Sequence, residues 1–306
     1  MPSLRSVRSV AAGLAVVGAA SLAWGMAVER RWPALRRFVL PLLPPGSGPL
    51  TVLHLSDLHL TPRQDWKVAW LRRLGQLRPD LVVNTGDNVT TAEALPALAQ
   101  ALEPLLGVPG VFVFGSNDFY EARWTPPHGY LLGRVNDPGG QRELPTVALR
   151  ALLSSQGWSG LEGCRIELEL AGLKVELRGC GDAHIGLDGD YAEVAGPPDP
   201  AADLALGVTH APYRRLLDAM TADGLDLILA GHTHGGQVCL PGYGALTTNC
   251  DLDRRRAKGL SSHQSAGHRA ALHVSAGLGT SPFAPYRFAC RPEASLLTLV
   301  PSPTLR

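Results

Sequence analysis

A chain of 306 residues, 45% hydrophobic and 18% charged, is long and apolar enough to bury a substantial core, and one catalytic domain accounts for it. Its formal net charge of +1 excludes a global electrostatic bias toward nucleic acid. The five cysteines, Cys164, Cys180, Cys239, Cys250 and Cys290, are odd in number and form no Cys-x-x-Cys pair, which argues against a closed disulfide framework while leaving room for one bridge.

From Val10 to Val28 no residue is charged, and about 19 residues at roughly 1.5 Å rise cover roughly 28 Å, close to a bilayer's hydrocarbon core. Residues 1–28 are therefore expected as a hydrophobic N-terminal segment, first of all a single-pass membrane anchor. Two alternatives stay open: a signal peptide cleaved near Ser21-Leu22-Ala23, with Arg5 and Arg8 ahead of its apolar region, or a buried helix. Arg30, Arg31, Arg36 and Arg37 outnumber Arg5 and Arg8, which by the positive-inside tendency places the following domain on the cytoplasmic side of the cell membrane. The same basic stretch alternates with Trp32, Leu35, Phe38 and Leu40, and is expected either as a helix lying against anionic headgroups or as a charged stop. Pro41 to Pro49, centred on Pro44-Pro45-Gly46, reads as a linker. Residues 29–50 would then be juxtamembrane and linker, and residues 51–306 the catalytic domain.

The domain opens on an apolar run, Thr51 to Leu55, that ends in Ser56-Asp57-Leu58-His59. Asp57 and His59 have the i, i+2 spacing that aims two side chains of an extended segment at one side. Helical spacing of apolar residues from Trp66 to Leu77 precedes a second strand, Leu81 to Asn84, which delivers Asp87 just past Gly86. A second helix, Ala92 to Leu105, precedes Val111 to Phe114 and the turn Gly115-Ser116-Asn117-Asp118. These two helices link the first three strands as crossovers. Residues 121–145, with Trp124, Pro126, Pro127, His128, Tyr130, Pro138, Gly139 and Gly140, read as an irregular insertion bordering that turn and a source of substrate selectivity. Cys164 to Leu170 and Leu173 to Arg178 alternate around Ala171-Gly172 as a hairpin of a second sheet. Leu204 to Val208 then runs into Thr209-His210, and Leu225 to Ala230 into Gly231-His232-Thr233-His234-Gly235-Gly236-Gln237. The paired glycines let the backbone turn sharply beside whatever the histidines hold. Ala270 to Ser275 and Ser295 to Val300 supply two further strands.

Each of these apolar runs is short and several end in a potential ligand: Asp57, His59, Asp87, Asn117, His210, His232 and His234. Ends of neighbouring strands converge, which is where α/β sheets place their sites. Any one member has a bland alternative, His210 as a helix cap or Asn117 as a turn residue, and the ordered set is harder to dismiss. So many nitrogen and oxygen donors exceed a single tetrahedral zinc and suit two transition ions sharing a bridging carboxylate.

The order Asp57-Leu58-His59, Gly86-Asp87, the turn at 115–118, His210 and Gly231-His232-Thr233-His234 resembles the calcineurin-like metallophosphoesterases over essentially the whole chain after its N-terminal segment. The form Gly-His-Thr-His-Gly-Gly-Gln and the hydrophobic start are most similar to the small bacterial phosphodiesterases of that family that act near membranes. The resemblance implies an α/β fold, a four-layer α/β/β/α sandwich of two mixed β-sheets flanked by helices. It implies Asp57, His59 and His234 on a first divalent ion, Asn117, His210 and His232 on a second, Asp87 as bridge, and Mn, Fe or Zn as the metals. It implies a phosphoester hydrolase, a phosphodiesterase, in which two cations about 3.5–4 Å apart activate a bridging hydroxide for in-line attack on phosphorus. The resemblance implies a phosphoester substrate, lipid-linked or nucleotide-like, with a membrane as the expected partner and no nucleic acid.

One block departs from the family, whose members read Gly-Asn-His-Asp or Gly-Asn-His-Glu where this chain has Gly115-Ser116-Asn117-Asp118. Aligned without a gap, Ser116 takes the ligand's place; shifted by one, Asn117 keeps it, and an amide carbonyl is the better metal donor. Under either alignment the histidine that donates a proton is absent. Asp118 and His184 are the candidate catalytic residues, with His184 the first substitute for that histidine and His128 the second. The alternative is a noncatalytic or weakly active metal-binding member.

Overall fold

A computed structural model of the chain describes residues 4–122, 124, 140–155 and 157–303. Its strands are β1 (Ala34–Leu43), β2 (Leu50–Leu55), β3 (Leu81–Asn84), β4 (Gly110–Phe112), β5 (Trp158–Gly160), β6 (Arg165–Leu170) and β7 (Leu173–Gly179). They continue as β8 (Leu204–Thr209), β9 (Leu227–Ala230), β10 (Cys239–Leu240), β11 (Gly244–Ala245), β12 (Gly259–Ser265), β13 (His268–Val274) and β14 (Glu293–Pro301). The α-helices are α1 (Leu4–Ala27), α2 (Asp65–Leu74), α3 (Leu95–Leu102), α4 (Ser116–Phe119), α5 (Thr146–Ser154) and α6 (Arg214–Ala222).

Two six-stranded mixed sheets form the centre, one ordered β1-β14-β2-β3-β4-β5 and the other β12-β13-β9-β8-β7-β6. Within β2 the two-residue alternation of strand side chains divides the burial. Val52 turns inward to meet Val83, Val175, Leu206 and Leu229 between the sheets. Leu53 and Leu55 turn outward beneath Val68 and Leu71 of α2 and Leu98 and Leu102 of α3. On the far side Ala205, Ile228 and Leu272 pack under Leu216, Leu217 and Met220 of α6. Each fully buried aliphatic contributes about 1.5–3 kcal/mol. The resulting layers are helix, sheet, sheet, helix, as the resemblance implied.

β2, β3, β4 and β5 run parallel, as do β7, β8 and β9, and crossovers through α2 and α3 connect β2 to β3 and β3 to β4. The predicted hairpin is β6 against β7 with Leu170 opposite Leu173, and Ala171 (φ 51°) and Gly172 (φ 78°) both take the left-handed conformation that two-residue hairpin turns require.

Two expectations near the N-terminus change. The basic stretch and the start of the predicted linker are not helical or irregular: residues 34–43 form β1, parallel to β14 from Ala34 opposite Glu293 to Pro41 opposite Val300. The cause is long-range, since Arg36 reaches Glu293, 257 positions away, at 3.2 Å. As the edge strand of its sheet, β1 also tolerates Pro41, whose missing N–H a central strand could not spare. Ahead of it α1 is helical, but among the described residues no helix is long and apolar enough to cross a membrane, and the expected anchor finds no support in the fold. Sequence reading also passed over α5, β5 and β12, the first two being only nine and three residues long.

Candidate metal centre

Every predicted ligand lies at one end of the two sheets. Asp57 and His59 follow β2, Asp87 follows β3, Asn117 opens α4 after β4, His210 follows β8, and His232 and His234 follow β9. The expected extended geometry does not bring them together. Asp57 (φ 48°), His59 (φ 39°), Asp87 (φ 56°), His232 (φ 67°) and His234 (φ 50°) are all left-handed, so the ligands stand on tight loops rather than on continuing strands. Such a conformation costs on the order of 1–3 kcal/mol per residue and persists where surrounding structure over-determines it. Gly231 shows how closely the loops approach: a Cβ there would fall 1.9 Å from Ser56 Oγ and 2.6 Å from Asp57 Oδ2.

The donor atoms converge. His59 Nε2 is 3.2 Å from His234 Nε2 and 3.3 Å from Asp87 Oδ2. His234 Nε2 lies 3.6 Å from Asp57 Oδ1, and His210 Nε2 lies 3.7 Å from Asp87 Oδ2. Asp57 Oδ1 and His210 Nε2 are buried without a hydrogen-bond partner. Leaving such an atom unsatisfied costs about 1–3 kcal/mol or more, so orphaned donors aimed into one space call for a cation. Among the described residues two groups have the spacing to hold one, Asp57 with His59 and His234, and Asp57 with Asp87 and His210. Imidazole and carboxylate donors of this kind suit divalent transition ions.

At three of the four imidazoles electrostatics agree with that fit. Burial pushes the His59 imidazole down to about 4 and holds those of His232 and His234 well below their usual value, so all three are neutral, as metal ligation requires. His210 goes the other way: burial lowers it, but the carboxylates of Asp87, Asp182 and Asp57 outweigh that and raise it to about 10. Burial raises Asp87, yet His210, His59 and the Asn117 hydrogen bonds bring it below the ordinary carboxylate range. A 2.6 Å hydrogen bond between His210 Nδ1 and the Thr85 carbonyl turns Nε2 toward Asp87.

The remaining predicted residues separate into those at the site and those behind it. Asn117 donates its backbone N–H to Asp87 Oδ1 (2.8 Å) and its side-chain amide to Asp87 Oδ2 (3.0 Å). His232 packs at 5.3 Å from the His210 ring, with Nε2 3.2 Å from the Asn249 carbonyl. His184 sits on a short turn capped by Asp182, its ring 4.4 Å from that of His232 and its Nδ1 3.0 Å from the Tyr213 hydroxyl. Asp118 does not reach the cavity. Its buried carboxylate accepts the backbone N–H groups of Asp87 (2.7 Å), Asn88 (2.8 Å) and Gly115 (3.0 Å), which fixes the ligand loops and leaves it no direct contact with substrate. His128 lies outside the described residues.

Sequence reasoning missed the braces. Arg287 is fully buried and donates to the carbonyls of Ala276 (2.7 Å), Gly277 (3.1 Å), Gly279 (2.7 Å) and His234 (3.3 Å). Behind Asp57 runs a buried chain in which Ser56 bonds Asp57 (2.5 Å), Thr85 bonds Ser56 (2.7 Å), and His54 bridges Thr85 (3.0 Å) to His273 (2.9 Å). His54 and His273, histidines among the aliphatics of β2 and β13, left a signal in the sequence.

A cavity of about 430 Å³ opens over the donors. His59, Asp87, Asn117, His184, His232 and His234 line it, together with Ile185, Val238, Leu246 and Phe283 and with polar Gln141, Gln237, Thr247 and Asn249. A sequence model of the calcineurin-like phosphoesterases matches residues 50–236. The chain belongs to that family. This calcineurin-like phosphoesterase is 28% identical over 263 residues to the uncharacterized metallophosphoesterase YkuE of Bacillus subtilis, covering 84% of this chain and 82% of YkuE. It is 27% identical over 278 residues to the phosphodiesterase YaeI of Escherichia coli, covering 89% and 90% of the two chains. A transmembrane protein with a metallophosphoesterase domain from Bos taurus is 28% identical over 216 residues, 67% of this chain and 45% of that one. Family membership implies phosphoester chemistry with divalent metal, and Asp57, His59, Asp87, His210 and His234 are its candidate ligands here.

Proposed function

We propose that the chain is a dinuclear metal-dependent phosphodiesterase, with Asp57, His59 and His234 on one ion, Asn117, His210 and His232 on the other, and Asp87 between them. The convergence of orphaned, buried nitrogen and oxygen donors beneath one cavity carries this reading. Divalent ions held there supply charge for the phosphate oxygens and acidify a water for attack. The protein's own contribution is positional: burial keeps the imidazoles of His59, His232 and His234 neutral, Thr85 orients His210, and Asp118 fixes the backbone on both sides of Asp87. His184 takes the place of the absent family histidine, its Nδ1 bonded to Tyr213 and its ring facing the cavity, so that Nε2 is left to hydrogen-bond the leaving oxygen and, once protonated against the burial that lowers this imidazole, to give it a proton. Among the described residues no Lys or Arg lines the cavity, and Ile185, Val238, Leu246 and Phe283 give its lining an apolar share. That chemistry favours a diester with an apolar, lipid-like substituent over a nucleotide with further phosphates to neutralise.

The full chain, loaded in turn with Mn, Fe(II) and Zn, is assayed on bis(p-nitrophenyl) phosphate and p-nitrophenyl phosphate beside Asp87→Ala. The expected result is turnover well above the variant, faster on the diester. Metal uptake with no turnover above Asp87→Ala would leave the noncatalytic reading standing.

A further inference from the structure

The end of the N-terminal helix is bonded to the segment that braces the His234 loop. Glu29 follows α1 in the short turn Glu29–Arg31 and is only 5% exposed despite its charge. Its carboxylate accepts the backbone N–H groups of Cys290 (2.6 Å) and Ala289 (3.0 Å) and the Trp24 indole N–H (3.0 Å). Ala289 is left-handed at φ 50°, a conformation that needs holding. One turn earlier the Gly25 carbonyl accepts the Arg287 N–H at 3.2 Å, and the contact is tight enough that a Cβ on Gly25 would fall 2.5 Å from the Arg287 carbonyl oxygen. The other face of the same segment grips the metal site: Arg287 donates to the His234 carbonyl at 3.3 Å, and Cys290 Sγ to the carbonyls of His234 (3.4 Å) and Gly235 (3.5 Å). Residues 287–290 are thus clamped from outside by residues 24–29 and from inside by the ligand loop. Hydrogen bonds to a buried charge contribute about 1.5–3 kcal/mol each, and a mere flank of a hydrophobic helix has no use for them.

We propose that Glu29 is a positioning residue for the metal site: it fixes Ala289 and Cys290, they fix Arg287, and Arg287 fixes His234, so the His234 half of the site is complete only with the N-terminal helix docked. The proposal rests on the metal-site reading above. It makes a segment ahead of the family-matched residues a working part of the centre.

The test titrates metal-free full chain with Co2+, following the visible absorption band and the heat of binding. Glu29→Ala weakens one of the two equivalents by on the order of ten-fold or more, as loss of outer-sphere support does, and leaves the other nearly unchanged. Glu29→Gln, which keeps an acceptor oxygen, recovers much of the loss. Gly25→Val, pressed against the Arg287 carbonyl, reproduces the loss from the other side of the clamp. Wild-type affinities in Glu29→Ala, or equal weakening of both equivalents, would overturn the proposal. Failure of the unmutated chain to take up two Co2+ would instead overturn the metal-site reading beneath it.

Discussion

The two halves of the donor cluster are built to different standards. Around Asp57, His59 and His234 the ligands are cross-braced: Arg287 ties down the His234 loop, and Ser56, Thr85, His54 and His273 form an unbroken hydrogen-bonded chain behind Asp57. Lys67, pushed down to about 7 by burial, donates to the Leu58 carbonyl at 2.7 Å beside His59. Around Asn117, His184 and His232 the bracing is more open: these side chains share the cavity lining with His59 and His234 and lean on short loops through Asp182, Tyr213 and Asn249. The chain departs from its family's pattern on the open half, where a neighbouring loop can bring in His184. A departure on the braced half would strand several partners at once.

Four changes would break or sharpen that contrast. Asp87→Ala touches both halves and removes the charge between them; a loss of about 10³-fold or more in kcat is expected, several kcal/mol of transition-state stabilisation, measured on bis(p-nitrophenyl) phosphate. His184→Asn acts only on the open half. Diesters with poor leaving groups should lose about 10²-fold or more while p-nitrophenyl esters lose little, because only the former need a proton donor. Equal losses on both would remove that role. Arg287→Gln acts only on the braced half and should weaken one metal equivalent by about 10–100-fold, read by competition with a chelator. Loss at both sites alike would dissolve the distinction between the halves.

The smallest effect concerns pH. Burial pushes His273 from 6.5 down to about 3, and His54 shifts the same way. Between those values the unfolded chain binds a proton that the folded one refuses, so this contribution to stability is full above pH 6.5 and is lost as pH falls toward 3. His273→Gln should flatten the decline by up to about 1.4 kcal/mol per pH unit in that window, measured by urea unfolding at several pH values. Curves that stay parallel to wild type would show that His273 does not carry it.

Features set by neighbours in the chain were legible in the sequence. The strands that end in ligands, the crossover helices of α2 and α3, and the Ala171-Gly172 turn all follow from local pattern and turn chemistry. β1 was not legible, because its extended form is dictated by β14, which the chain reaches only after both sheets are built. The left-handed backbones of Asp57, His59, Asp87, His232 and His234 were not legible, because Asp and His, though enriched among non-glycine residues in that conformation, adopt it only at a minority of positions, and here the neighbouring loops decide it. Asp118 was a candidate catalytic residue in the sequence; its carboxylate instead accepts three backbone N–H groups and holds the loops. Arg287 and Glu29 bear no motif at all, and their meaning lies wholly in what they touch.

Metal content of the full chain and of two single variants, measured by mass spectrometry after gel filtration, tests the divided centre most directly. The account predicts about two equivalents per chain in the unmutated protein and about one in each of His234→Ala and His232→Ala, with phosphodiesterase turnover lost in both. A single equivalent in the unmutated chain, lost equally in either variant, would contradict it.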